Sequence, residues 1–381
     1  MSTADSPPHR PLRRHPRRRR RLLVTAGITA AVLAAPAVSY VQALTYPGSA
    51  PFATRSVEWV RDNGGGRVVD AAENWWYARH VPAGQTPTVR AGTGSTHVVR
   101  VVQVVPPVIP GVPQAVGEDQ WIPGRSGTDG NPALWTTFFR PDAAHPEVIA
   151  GAAWIEAGAV AHLVAGTTQP DRGSWPGNAR VATTDVPNLL ATFNSGFKFK
   201  DTPGGFLLQG RSSRPLVDGL ATAVIDARGH LDVGRLGSDV TVGPTTLAAR
   251  QNLQMVVEGG RPVPGLADDA HGAWGTSRNQ KQFTWRSGLG VDARGDTVYV
   301  AGNGLDLVHL TDALVTAGAV RAMELDMHHG MASFASWQPT DGSGTPTPTK
   351  LLPDMSRPAD RYLEPDQRDF FYLTVPTTSG G

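Results

Sequence analysis

The chain has no cysteine. That excludes disulfides, thiolate metal sites and a cysteine nucleophile. It also has no Gly-x-x-x-x-Gly-Lys phosphate loop, no dinucleotide fingerprint between a strand and a helix, and no Gly-x-Ser-x-Gly elbow. His-x-x-x-His zinc spacing is absent, and only His328 and His329 of the eleven histidines are adjacent. Charged residues are only 18% of the chain, whereas Gly 43 and Pro 32 predict many turns and long irregular connections. The 381 residues are enough to bury a core without covalent staples.

The formal net charge of +2 is a property of one end. Residues 1–21 hold eight arginines and one acid, Asp5, and the rest of the chain has 27 basic against 32 acidic residues. The folded part therefore gives no reason to expect a nucleic-acid partner. Residues 22–44, LLVTAGITAAVLAAPAVSYVQAL, carry no charge. As a helix they span roughly 34 Å, enough for a bilayer core. With arginines before it, this run reads as a signal-anchor that leaves the C-terminal part outside the cytoplasm. The alternative is a signal peptide, cleaved near Ser39 or Ala43, and a secreted product.

Residues 45–130 read as a membrane-proximal spacer with a small β-rich region, and residues 131–381 as the main domain. RSVEWVRDN predicts a short amphipathic helix that breaks at Gly64, Gly65 and Gly66. VVDAAENWWYARH resumes a helical pattern, with Trp75, Trp76 and Tyr77 suited either to a membrane surface or to core packing. THVVRVVQVVPPV, residues 96–108, is a β-rich run, and Thr340–Pro353 reads as a long loop. AVIDARGHLDVG and GVDARGDTVYVAG predict hairpins with Arg-Gly turns, and DFFYLTVP a last strand. The expected fold class is α+β (mixed α/β): a mixed central β-sheet with packed helices, preceded by one N-terminal transmembrane helix.

The stretch RAMELDMHHG, Arg321–Gly330, carries the strongest chemical signal. It reads as a strand with Met323, Leu325 and Met327 on one face and Glu324, Asp326 and His328 on the other. Carboxylates beside a core are costly unless they are paired, ligated or used in chemistry. On an exposed strand the same pattern is only a solvated acidic face. HLTDALVTAGAV upstream predicts a helix capped by Thr311 and closed by Gly318. Helix, glycine, strand and terminal polar residues make an αβ unit, and ligands gather at such strand ends. Asp326 and His328 lack a third metal ligand, so no metal is assigned, and the cofactor is left open.

Four segments in order resemble the phosphodiester glycosidase family. They are ATFNSGFKF (191–199), LQMVVEGGRPVPG (253–265), TWRSGLGVDARGDTVYVAG (284–302) and LVHLTDALVTAGAVRAMELDM (307–327). The likeness covers roughly residues 130–375. One departure stands out: the family's Leu-Asp precedes a Gly/Ser run, whereas Met327, His328, His329, Gly330 and Met331 follow Leu325 and Asp326 here. The resemblance implies cleavage of a glycosyl phosphodiester in an envelope glycan or glycoconjugate. Asp326 would face the developing oxocarbenium ion, and Glu324 or Glu258 would supply the second carboxyl. Arg286 offers a fork for phosphate oxygens, and Asn194 with Gly196 a turn aimed at the substrate. His328 would orient a carboxylate or bind phosphate. The alternative is a non-catalytic envelope protein that holds a polyanionic glycan in the same cleft.

Overall fold

A computed structural model describes residues 34–77, 79–80, 84–87, 104–170, 175–268, 271–275, 280–339 and 346–376. Three helices come first: α1 (34–45), α2 (Phe52–Val60) and α3 (Gly66–Tyr77). Strands β1 (Ile122–Pro123), β2 (Leu134–Phe139), β3 (Ala150–Ile155), β4 (Val160–Val164) and β5 (Leu189–Asn194) follow. Next are β6 (Phe206–Leu208), β7 (Arg211–Arg214), β8 (Ala221–Asp226), β9 (Leu231–Arg235), β10 (Thr246–Gln251), β11 (Met255–Glu258) and β12 (Arg261–Pro262). The chain continues with β13 (Thr284–Val291), β14 (Thr297–Leu305), helix α4 (Leu307–Thr316), β15 (Arg321–Met327), β16 (Phe334–Gln338), β17 (Thr347–Lys350) and β18 (Phe370–Thr374).

The strands form three sheets, in the orders β1-β2-β3-β14-β13-β15-β11-β12, β7-β6-β10-β8-β9 and β17-β16-β5-β18-β4. The structure is thus largely β with few helices, and its strands divide among three sheets where one central sheet was expected. Every pairing between named strands is antiparallel. The reason lies in the connections. Parallel neighbours need long crossovers, and most strands here are joined by short turns. Helix α4 is a crossover that links β14 to β15, which lie on either side of β13.

Both expected hairpins form, by one local device. In Asp-Ala-Arg-Gly, Asp226 Oδ1 accepts from the N–H groups of Arg228 and His230, each at 2.9 Å. Asp292 Oδ1 does the same for Arg294 and Asp296 at 2.7 and 3.0 Å. Gly229 and Gly295 take the left-handed φ of 82° and 85° that closes each turn. Apolar residues of all three sheets then meet in one core, including Phe193, Phe206, Leu289, Tyr299, Leu325 and Phe371. The far face of the first sheet is covered by α4, whose Leu307, Leu310, Ala313 and Leu314 pack with Val256, Val298 and Val300.

Several expectations need correction. The cap of α4 is Asp306, not Thr311: Asp306 Oδ1 accepts the His309 N–H at 2.9 Å, and the helix starts earlier than expected. The loop expected over Thr340–Pro353 contains β17, which pairs with β16; residues 340–345 lie outside the described residues. Residues 96–103 of the expected β-rich run also lie outside them, and 104–108 form no strand. Residues 22–33 of the expected membrane span lie outside them too. Among the described residues no helix is long and apolar enough to cross a membrane. The end of that span lies in α1, which packs on α2. Trp59 Nε1 donates to Ser39 Oγ at 3.0 Å, and the Tyr40 and Trp59 rings meet edge to face at 5.0 Å.

Candidate active site

The C-terminal end of β15 opens onto a cavity of about 310 Å³. Asp326, Met327 and His328 form part of its floor, with Phe197, Lys198, Lys200 and Asp201 from the segment after β5. Arg368, just ahead of β18, and Trp274 supply further walls. The remaining side is α2, the turn after it and α3, through Glu58, Arg61, Gly66 and Asp70.

Sheet register brings these pieces together. Phe370 of β18 lies opposite Asn194 of β5, so Arg368 runs beside the chain leaving β5. Its Nη2 donates to Gly196 O and to Asp326 Oδ2, both at 2.9 Å. Asn252 ties the same segment to β15. Its Oδ1 accepts the Phe197 N–H at 3.2 Å, and its Nδ2 donates to Glu324 O and Leu325 O at 2.6 and 2.8 Å. Glycine at position 196 avoids a tight contact, because a Cβ there would lie 3.1 Å from the Asn252 side chain.

Asp326 is buried, and burial pushes its carboxyl up to about 6 against the opposing Arg368 guanidinium and Met327 N–H. The Met327 N–H donates to Asp326 Oδ1 at 2.8 Å. His328 sits at a left-handed φ of 80°. Its imidazole is held well below its ordinary value by burial and by the charges of Arg61 and Arg286, so it is neutral near pH 7. Asp201 is raised by burial, against Lys200, Lys198 and Arg368. Glu73 is raised to about 6 by burial and lies 3.5 Å from His328 Nδ1.

The cations have partners from opposite directions. Arg368 belongs to Asp326. Lys198 meets Glu58 and Asp62, and Lys200 meets Asp62 at 2.7 Å. Among the described residues, the carboxylates in salt-bridge contact with the two lysines thus come only from α2 and the turn behind it. Burial alone would raise the Asp62 carboxyl, but Lys200 and Lys198 outweigh it and hold it below its ordinary value.

Of the residues singled out from sequence, Asp326 and His328 line the cavity. Gly196 contributes its carbonyl to Arg368. The others are placed elsewhere. Arg286 is fully buried. It pairs with Glu324, donates to Gln280 Oε1 at 3.1 Å and also donates to the carbonyl of Leu305 at 2.9 Å. Neither Arg286 nor Glu324 is in the cavity lining. Asn194 Oδ1 accepts from Tyr299 Oη and the Ser333 N–H, and its Nδ2 donates to Ser287 Oγ, which makes it a core link between the first and third sheets. Glu258 pairs with Arg235 and is in register with Arg321, at the far end of β15. Asp326 lies five positions further along the strand, roughly 17 Å away. Alternation grouped Glu324 with Asp326, and the resemblance added Glu258. Alternation does not register which end of a strand meets a cavity.

Sequence reasoning did not find Lys198, Lys200, Asp201, Trp274 or Arg368. The first two had a signal, since FKFK at 197–200 alternates apolar and basic residues. Arg368 had none, because its role depends on the pairing of β18 with β5. The helices α2 and α3 were expected and do form, but against this cavity.

No family model and no curated protein matches the chain. Among solved structures it is similar to the catalytic domain of zebrafish N-acetylglucosamine-1-phosphodiester alpha-N-acetylglucosaminidase, auto-inhibited by its pro-peptide. That match has 15% identity over 67% of this chain and 87% of the other, with a TM-score of 0.43. It is also similar to a hypothetical protein from Synechocystis, at 13% identity over 64% of this chain and 62% of the other, with a TM-score of 0.40. The relationship these figures describe is distant.

Proposed function

We propose that this chain is a hydrolase of glycosyl phosphodiesters that works outside the cytoplasm, tethered by residues 22–44, on an envelope glycan or glycoconjugate. The observation that carries the chemistry is a carboxyl raised to about 6 in the same cavity as the Lys198 and Lys200 ammonium groups. The lysines bind the phosphate oxygens, and Asp326 lies beneath the sugar. As the C1–O bond breaks, its electron pair leaves on the phosphate, and the Asp326 carboxylate stabilises the cationic sugar. Water supplies the new C1–O bond. One of its protons stays on the anomeric hydroxyl, and the other passes to Asp201, the second carboxyl in the cavity, in the role expected of Glu324 or Glu258. Phosphate is a good leaving group, so no strong acid is needed behind it. Neutral His328 adds a hydrogen-bonding edge without adding charge.

The test is release of free sugar from a panel of α- and β-linked sugar-1-phosphodiesters by the full chain and by Asp326→Asn. Turnover that falls by about 10²-fold or more in the variant is expected. Turnover unchanged in Asp326→Asn would refute the assignment. Stable glycan binding with no turnover would point instead to the non-catalytic reading.

A further inference from the structure

The geometry of α2 over the cavity carries information about the ligand, on the assumption that the cavity binds glycosyl phosphates. Asp62 Oδ1 lies 3.0 Å from Lys198 Nζ and 2.7 Å from Lys200 Nζ, so one oxygen bridges two ammonium groups. A second carboxylate, from Glu58 one helical turn earlier, reaches the same Lys198 nitrogen. Two negative charges therefore converge on one nearly buried cation, whose side chain is 9% exposed.

Underneath, among the described residues, no carboxylate of the body is in salt-bridge contact with either lysine, although the Asp201 charge acts on both and that of Asp326 on Lys198 through space. Asp326 is engaged by Arg368, and Arg357 and Arg361 share Asp366. A second cavity of about 370 Å³ lies on the other side of α2 and has Glu58, Lys198, Met331 and Arg368 in common with the first. Helix α2 thus lies across one trough, with its acids on the two lysines at the centre. A buried ammonium without a counter-charge is costly. A ligand that takes the place of α2 must bring a comparable charge, and a phosphodiester brings only one. Phosphates separated by a sugar would not share one ammonium nitrogen as Glu58 and Asp62 do.

We propose that the two-lysine site receives two adjacent negative charges joined through one oxygen, the diphosphate of a glycosyl diphosphate diester, in place of Glu58 and Asp62. Such a diphosphate occurs in nucleoside-linked and in lipid-linked sugars, and the chemistry at the lysines is the same in both. The trough under α2 gives the group beyond the diphosphate a path toward Arg357.

The experiment is calorimetric titration of the full chain and of Glu58→Gln/Asp62→Asn with inorganic pyrophosphate and with dimethyl phosphate. The double variant is expected to bind pyrophosphate at least about tenfold more tightly than the unaltered chain, and about tenfold more tightly than it binds dimethyl phosphate. Adding Lys198→Met is expected to abolish that binding. Equal affinity for the two probes, or no pyrophosphate binding by a double variant that unfolds at the same temperature as the parent, overturns the proposal. If the double variant does not fold, Asp62→Asn alone frees Lys200 and is judged by the same comparison. Hydrolysis of a nucleoside diphosphate sugar and of a polyprenyl diphosphate sugar in detergent then identifies the source. Asp326-dependent turnover of a singly charged diester, without turnover of either diphosphate, overturns the diphosphate proposal and leaves the hydrolase reading standing.

Discussion

Arg368 offers the sharpest test of how the site is tuned. Its Nη2 is 2.9 Å from Asp326 Oδ2, and it is the leading charge opposing the burial that raises that carboxyl to about 6. An opposite charge at this range shifts a carboxyl by about one to three pKa units, so Arg368→Met should lift Asp326 to between about 7 and 9. At pH 7 the ionised fraction then falls from about nine-tenths to between about one half and one hundredth. If Asp326 acts as a carboxylate, kcat/KM at pH 7 falls by the same factor and recovers as the pH is raised. The acid limb of the profile moves up while the plateau is kept. Arg368→Lys retains the charge and should move the limb by less than about one unit. Glu58→Gln is the control of opposite sign: Glu58 raises Asp326, so its removal should move the limb down. The assay is kcat/KM against pH on the best sugar-1-phosphodiester. A uniform loss at every pH with the limb unmoved would refute the reasoning and make Arg368 a positioning residue that acts through Gly196.

Four further outcomes follow from particular contacts. Glu324→Gln removes the carboxylate that pairs with the fully buried Arg286 and should cost about 3–5 kcal/mol in denaturant unfolding, with the chemistry affected only through lost folded protein. Asp306→Ala removes the cap of α4 and should cost about 1 kcal/mol, with kcat/KM unchanged; an activity loss without a stability loss would contradict the assignment. Gly196→Ala drives a methyl against Asn252 and should cost about 1–3 kcal/mol while weakening the Arg368 link, read by unfolding and by the pH profile together. The His328 ring should be neutral by NMR at pH 6.5. Because its folded value is depressed, the unfolded chain takes up the proton first, so stability falls as the pH drops below about 6.5, and His328→Gln should flatten that slope.

What was legible in the sequence was local. The Asp-Ala-Arg-Gly hairpins, the strand Arg321–Met327 and the break between α2 and α3 all follow from residues that act within a few positions of one another. The cap of α4 was misplaced because Asp306 and Thr311 are both good caps, and the burial of Leu307 decides between them. Asp326 was legible because a carboxyl on an apolar strand is anomalous wherever the strand lies. Glu324 is equally anomalous and has a different explanation, since Arg286 on the neighbouring strand pairs with it. Two acids two residues apart look alike in one dimension. They part because the Arg286 guanidinium reaches one of them and the cavity lies beside the other.

The larger omission concerns α2. The acids of α2 and the turn after it read as the polar face of an amphipathic helix, and nothing in residues 52–62 names the lysines they meet, which lie 136 and 138 positions beyond Asp62. Charge patterning is informative within a helix, where partners sit three or four residues apart. Across a fold it says only that a counter-charge exists. Yet the converse inference holds once the fold is known. The body leaves Lys198 nearly buried beside Lys200, and the acids that meet both come from a helix laid across a trough. A cation site evolved only to hold α2 would need one salt bridge, and bridging two lysines with one oxygen while a second carboxylate crowds Lys198 exceeds that. The excess is intelligible if the lysines are arranged for another anion, and α2 carries the carboxylates that imitate it.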